Sequence, residues 1–164
     1  MATPTNLPAS QTTGNVLTAA YVNELRGAFR ILQVKTMETA TLVTNSTTTF
    51  VGSGLTLSIT PQETSSKILI FSVSSIAKTA GNLANAVNLR MRRGTTVLTS
   101  QTAVLYTGTT IIQVGTSPMI YLDSPNTTSA TTYDVQFANF TAAAQAEHNA
   151  NGSASTLVLM EVSA

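Results

Sequence analysis

The chain has 164 residues, eight Lys and Arg against seven Asp and Glu, a net charge of +1, and 43% hydrophobic, 9% charged and 5% aromatic residues. So little charge excludes a globally basic surface for nucleic acid, and so much apolar content excludes a disordered chain. The absence of Cys excludes disulfides and thiolate metal sites, and no apolar run approaches the ~20 residues of a membrane-spanning helix.

In chain order, the first stretch places Pro4, Pro8 and Gly14 among small polar residues. It has no apolar periodicity and reads as an extended arm. Residues 1–8 lack the basic and apolar regions of a secretion signal. A short helix is predicted next. Thr18 is a candidate N-cap, with Leu17 and Val22 in the staple positions around it. Leu17, Tyr21, Leu25 and Phe29 recur every four residues with Val22 beside them, forming one apolar stripe. Arg26 and Arg30 fall at the C-terminal end, where the helix dipole favours cations. Gly27 weakens the helix or ends it early. A helix this short is marginal alone, so its stripe is expected to bury against its own domain or a neighbour. Leu17, Tyr21, Val22, Leu25 and Phe29 are therefore the candidate anchoring residues. The chain divides into an N-terminal segment, 1–33, and a body, 34–164.

The body reads as strands and turns. The 30 Thr, together with many Val, favour strands, because β-branched side chains fit a pleated surface. Gly52-Ser53-Gly54 is expected to be a turn or bulge. Leu55, Leu57 and Ile59 then alternate with Thr56, Ser58 and Thr60, and Pro61 ends that strand. Residues 68–73 are almost continuously apolar, which predicts a central strand covered on both faces. Val87, Leu89 and Met91 alternate with Asn88, Arg90 and Arg92 until Gly94. Residues 95–105, 110–122, 131–140 and 156–162 complete about eight strands, separated by turn sequences such as GNLAN, DSPNTTSA and HNANGS. No strand–helix alternation appears. The fold predicted is all-β: an antiparallel β-sandwich or jelly roll preceded by an arm with one short helix.

Candidates for chemistry are sparse. The seven carboxylates fall at no spacing that pairs them for acid–base work, and are expected to be solvated surface groups. His148, the sole histidine, lies in a turn-like stretch and is expected to be a loop residue. No metal-ligand motif is present, and no catalytic residue, cofactor or metal is predicted. Arg90, Arg92 and Arg93 form the one basic cluster. They are either a patch for an anionic partner or the solvated end of a strand. Four Asn-X-Ser/Thr matches, at Asn45, Asn126, Asn139 and Asn151, are what chance gives in a chain rich in Asn and Thr.

Two groups of motifs carry a resemblance. GNVLTAAYVNELRG, residues 14–27, resembles the N-terminal segment of many tailed-bacteriophage structural proteins. LTLSITPQETSSKILI, YLDSPNTTSATTYDVQF and the closing STLVLMEVSA resemble a Thr/Ser-rich phage virion domain of head-decoration and tail-fibre-like proteins. The resemblance implies a virion structural protein, not an enzyme. Its first segment would anchor it to the major capsid protein or another virion protein, and its β-sandwich would face outward. The leading expectation is a capsid decoration (cement) or head-appendage protein on the virion, a homo-oligomer and by assembly precedent a homotrimer. The alternative is a tail-fibre or adhesin module that binds host glycan. Neither nucleic acid nor membrane is an expected partner.

Overall fold

The computed structural model describes residues 16, 18, 19, 22, 31–79, 84–108, 111–142 and 145–163. Ten strands follow one another: β1 (Ile31–Thr39), β2 (Val43–Asn45), β3 (Val51–Ile59), β4 (Lys67–Lys78), β5 (Asn85–Arg93), β6 (Thr96–Thr107), β7 (Gln113–Asp123), β8 (Thr131–Asn139), β9 (Ala146–His148) and β10 (Ser155–Val162). A turn of 3-10 helix, Ala150–Gly152, separates the last two.

All pairings are antiparallel and they divide into two sheets. One has the order β1-β10-β4-β7, with β9 and β2 continuing beside the far end of β4; the other has the order β3-β8-β5-β6. Leaving aside the three-residue strands β2 and β9, the eight long strands pair first with last, second with seventh, third with sixth and fourth with fifth. This is one long antiparallel ribbon rolled up on itself, the jelly-roll arrangement. The predicted fold class is the observed one, and the pairing supplies the strand order that periodicity leaves open.

The core follows from the period of two. In β3, Ser53, Leu55 and Ile59 point inward; in β10, Leu157 and Leu159 do. They meet Ile68, Ile70 and Ile76 of β4, Val87, Leu89 and Met91 of β5, and Tyr133, Val135 and Phe137 of β8. The expected bulge at Gly52-Ser53-Gly54 is present: the β3–β8 register slips between Gly52 and Thr56, and Gly54 has φ +90. The Ser53 hydroxyl donates to the Val135 carbonyl at 2.7 Å across that slip, so the extra residue leaves no buried polar group unpaired there.

Several sequence expectations change. The described residues form ten strands, not about eight, because β2 and β9 are too short to show a period and β1 is an edge strand with no clean alternation. The sheet starts at Ile31, paired with Val162, so it takes in residues 31–33. Strand β4 is central, as predicted, but not covered on both faces over 68–73. Ile68, Ile70 and Ser72 are buried, Leu69 and Phe71 are half-buried, and Val73 is 45% exposed. His148 is not a loop residue. It lies on β9 between Val43 and Ile76, fully buried, with its ring centroid 5.6 Å from that of Phe137. Nor are all carboxylates solvated. Glu161 and Asp123 fall on inward positions of β10 and β7 and are buried. Glu161 accepts from the Gln62 backbone N–H at 2.7 Å and from the Gln33 side-chain amide at 2.6 Å, which offsets its desolvation. Asn45 and Asn139 are also buried, with both amides donating to backbone carbonyls, so their Asn-X-Ser/Thr context is structural.

Candidate functional site

The two outer faces of the sandwich differ in chemistry. On the β3-β8-β5-β6 sheet, the outward positions of β5 are Asn88, Arg90 and Arg92, opposite Ala138, Gln136 and Asp134 of β8. Every predicted basic residue here has a partner. Arg90 donates to the Gln136 side chain at 2.8 Å, and its guanidinium lies 4.1 Å from the centre of the Phe50 ring. Arg92 grips Asp134 with two hydrogen bonds, at 3.1 and 2.8 Å, and this carboxylate raises its pKa further. Arg93, near the Gly94 turn, donates to both oxygens of Asp123 at 2.9 and 2.8 Å. Tyr133 donates its hydroxyl to the same carboxylate at 2.7 Å, and its pKa is raised, first by burial and then by that hydrogen bond. The Ser58 and Thr132 hydroxyls pair at 2.7 Å on the same face. This surface is polar and largely satisfied from within the chain.

A cavity of about 370 Å³ opens here at the β3 bulge, lined by Gly52, Ser53, Gly54, Arg92, Thr132 and Asp134 among others. Glycine at the bulge leaves backbone exposed beside the Arg92–Asp134 pair. The arrangement offers hydrogen bonds to a neutral polar ligand, while the bound carboxylate cancels much of the attraction for an anion. Among the described residues, no three His, Asp or Glu side chains gather to hold a metal ion.

The other outer face is apolar. Paired residues across β1, β10, β4 and β7 share a face, and their register gives three consecutive rows. The first is Val34, Met160, Leu69 and Leu122; the second is Thr36, Val158, Phe71 and Ile120; the third is Glu38, Thr156, Val73 and Pro118. Only Thr36, Thr156 and Glu38 interrupt them, all toward the β1 edge. Ile120 is 61% exposed and Leu122 51%. The sequence carried a signal of this face. Residues 68–73, 119–122 and 157–160 are apolar on both parities, as a strand covered on both sides is. The cover on the second side does not come from the described residues of the same chain.

Of the candidate anchoring residues, Leu17, Tyr21, Leu25 and Phe29 lie outside the described residues. Val22 is described: its backbone N–H donates to the Thr18 carbonyl at 3.1 Å, one helical turn, and its side chain is exposed.

No family model matches the chain, and no curated protein sequence matches it. Similar solved structures come from infectious bursal disease virus. A structure of its Gx strain aligns at 12% identity with a TM-score of 0.44, over 80% of this chain and 38% of that chain. The T13 viral particle aligns at 13% identity with a TM-score of 0.41, over 79% of this chain and 35% of that chain. The VP2 subviral particle aligns at 12% identity with a TM-score of 0.40, over 82% and 38%. The chain thus spans well under half the length of these neighbours, and its fold stands on its own strand pairing.

Proposed function

We propose that this chain is a structural protein of a tailed-phage particle, a decoration or head-appendage protein. It docks through its N-terminal segment and presents the jelly-roll body outward. The observation that carries this reading is the helical turn at Thr18–Val22. In sequence the turn precedes the edge strand β1, and its stripe residue Val22 is exposed with Val16, as in a segment that finds its partner outside its own body. The motif resemblance of residues 14–27 supports the same assignment. Jelly rolls also serve lectins and small-molecule enzymes, so the fold adds only analogy. Attachment of many copies to a symmetric particle turns a modest affinity per copy into stable decoration.

The test is a chain lacking residues 1–30, which leaves β1 whole. The expected result is a folded β domain that no longer attaches to particles from which the protein is missing. Attachment at the full-length level would overturn the anchoring role, and labelling of the tail instead of the shell in electron micrographs would overturn the decoration role.

The cavity at the β3 bulge favours a second reading, a module that binds host glycan. Its hydroxyls, exposed glycine backbone and guanidinium–carboxylate pair suit sugar hydroxyls. A glycan array carries that test: binding abolished by Asp134→Ala supports the reading, and no binding to any glycan removes it.

A further inference from the structure

We infer that the apolar outer face of β1-β10-β4-β7 is an interface between copies of this chain, and that its occupant is the 17–29 segment of a second copy. The inference rests in part on the helical, docking character assigned to that segment above. It differs in naming the partner: a sister chain binds the helix, which leaves the residues before it to reach the particle.

The face itself asks for an apolar cover. Its centre, formed by Val158 and Met160 of β10 with Leu69 and Phe71 of β4, and its β7 side, Ile120 and Leu122, hold no charge; the outward charges lie at the margin, Glu38 on the β1 edge and Lys67 at the end of β4. Four strands span about 14 Å between outer axes, and three rows run about 14 Å along the strands between first and last. With side chains the footprint is roughly 400 Å², in the range of patches that mark interaction sites on monomers. It is about half of what each partner buries in a standard protein–protein interface, ~800 Å². A second sheet laid flat on this face would cover this patch alone and leave the apolar stripe of residues 17–29 without a partner.

An amphipathic helix fits better. From Leu17 to Phe29 a helix rises ~18 Å, enough to cross the four strands, and is ~10 Å wide with side chains. Its stripe of Leu17, Tyr21, Val22, Leu25 and Phe29 supplies a branched and aromatic surface of matching length. The segment ends next to Ile31 on β1, the edge strand of this same sheet, so it starts at the rim of the face. Yet within one chain both partners stand open: Val22 on the stripe is exposed, and so are Ile120, Leu122, Val34 and Val73 on the face. Exchange between copies covers both at once. Each copy gives a helix and receives one, a heterologous contact that closes when repeated around a ring.

The chain has no Cys, so a designed pair reads the contact without background. Two full-length variants, Leu25→Cys and Ile120→Cys, are co-purified and oxidised, and the products are resolved without reductant. The expected result is a cross-link between the two different chains and, in the double variant, a ladder of linked copies. A double variant that links only within one chain overturns the second-copy assignment. No link of either kind, in protein shown folded by circular dichroism, overturns the face as the docking site. Ile120→Lys gives an independent reading: it is expected to shift the purified protein to single-chain mass while the body stays folded. Because all of this is read on free protein, it can fail while particle attachment persists, or hold while attachment fails.

Discussion

His148 shows how one residue's surroundings become a measurable property. Its imidazole is fully buried beside Phe137, and neither ring nitrogen makes a hydrogen bond of good geometry within the described residues. Burial lowers its pKa from 6.5 to about 4, opposed only weakly by the neighbouring Asn149 side chain. The unfolded chain therefore takes up the proton first. The stability this group confers is complete above about pH 6.5 and is lost as the pH falls through the window toward 4. Urea denaturation at pH 7.5 and 4.5 is expected to show a loss of roughly 2–3 kcal/mol that His148→Leu removes; an equal loss in both proteins contradicts it. The two ion pairs differ in the same way. Asp123 is buried and holds both Arg93 and Tyr133, so Asp123→Ala is expected to cost about 3 kcal/mol, near the low end for broken buried pairs because Arg93 is 30% exposed. The Arg92–Asp134 pair is exposed at 22% and 17%, and Asp134→Ala is expected to cost less than about 1 kcal/mol. Equal losses in thermal melts would contradict the ranking. Composition identified these residues as rare but not where they sit. Asp123 and Glu161 look like surface carboxylates until register places them on inward positions, and register is set by pairing across 30 residues or more.

At the scale of elements, the clean alternators were legible. Leu55, Leu57 and Ile59 in β3, and Val87, Leu89 and Met91 in β5, declare a strand and its inward face without help. Short or edge elements were not. β9 is three residues in a stretch rich in Asn and Gly, and only its pairing with both β2 and β4 makes it a strand. The contact between β6 and β7 closes one side of the sandwich and was equally silent. There Gln101 donates to the Pro118 carbonyl at 2.9 Å and is hydrogen-bonded to Ser117. Gly115 faces Leu105, and a Cβ at that position would lie 2.9 Å from a Leu105 methyl. Because the clash is with the tip of a half-buried side chain that can turn aside, Gly115→Ala is expected to cost less than about 1 kcal/mol through overpacking. Leu105→Ala made in the same chain is expected to recover part of that cost, so the double-mutant cycle should show a favourable coupling. Strict additivity in chemical denaturation would mean the two positions do not press on each other.

At the scale of the whole molecule, low charge acquires a location. The cluster of Arg90, Arg92 and Arg93 with Asp123 and Asp134 sits on or beside one sheet, where two of the three guanidinium groups meet a carboxylate and Arg90 meets Gln136. The opposite outer face is apolar across four strands. A body with one satisfied face and one open apolar face is built to be covered, and few charges lower the desolvation cost of covering it. The two-faced apolar runs made this face partly legible, but they do not say which chain covers it. On the assignment made above, the N-terminal segment of one copy covers this face on another. The most direct measurement is mass by light scattering of the full-length chain and of the chain lacking residues 1–30. The account predicts a closed multiple of 17.1 kDa for the first and single-chain mass for the second. A full-length protein that stays at 17.1 kDa, or a truncated one that keeps the full-length assembly, would contradict it.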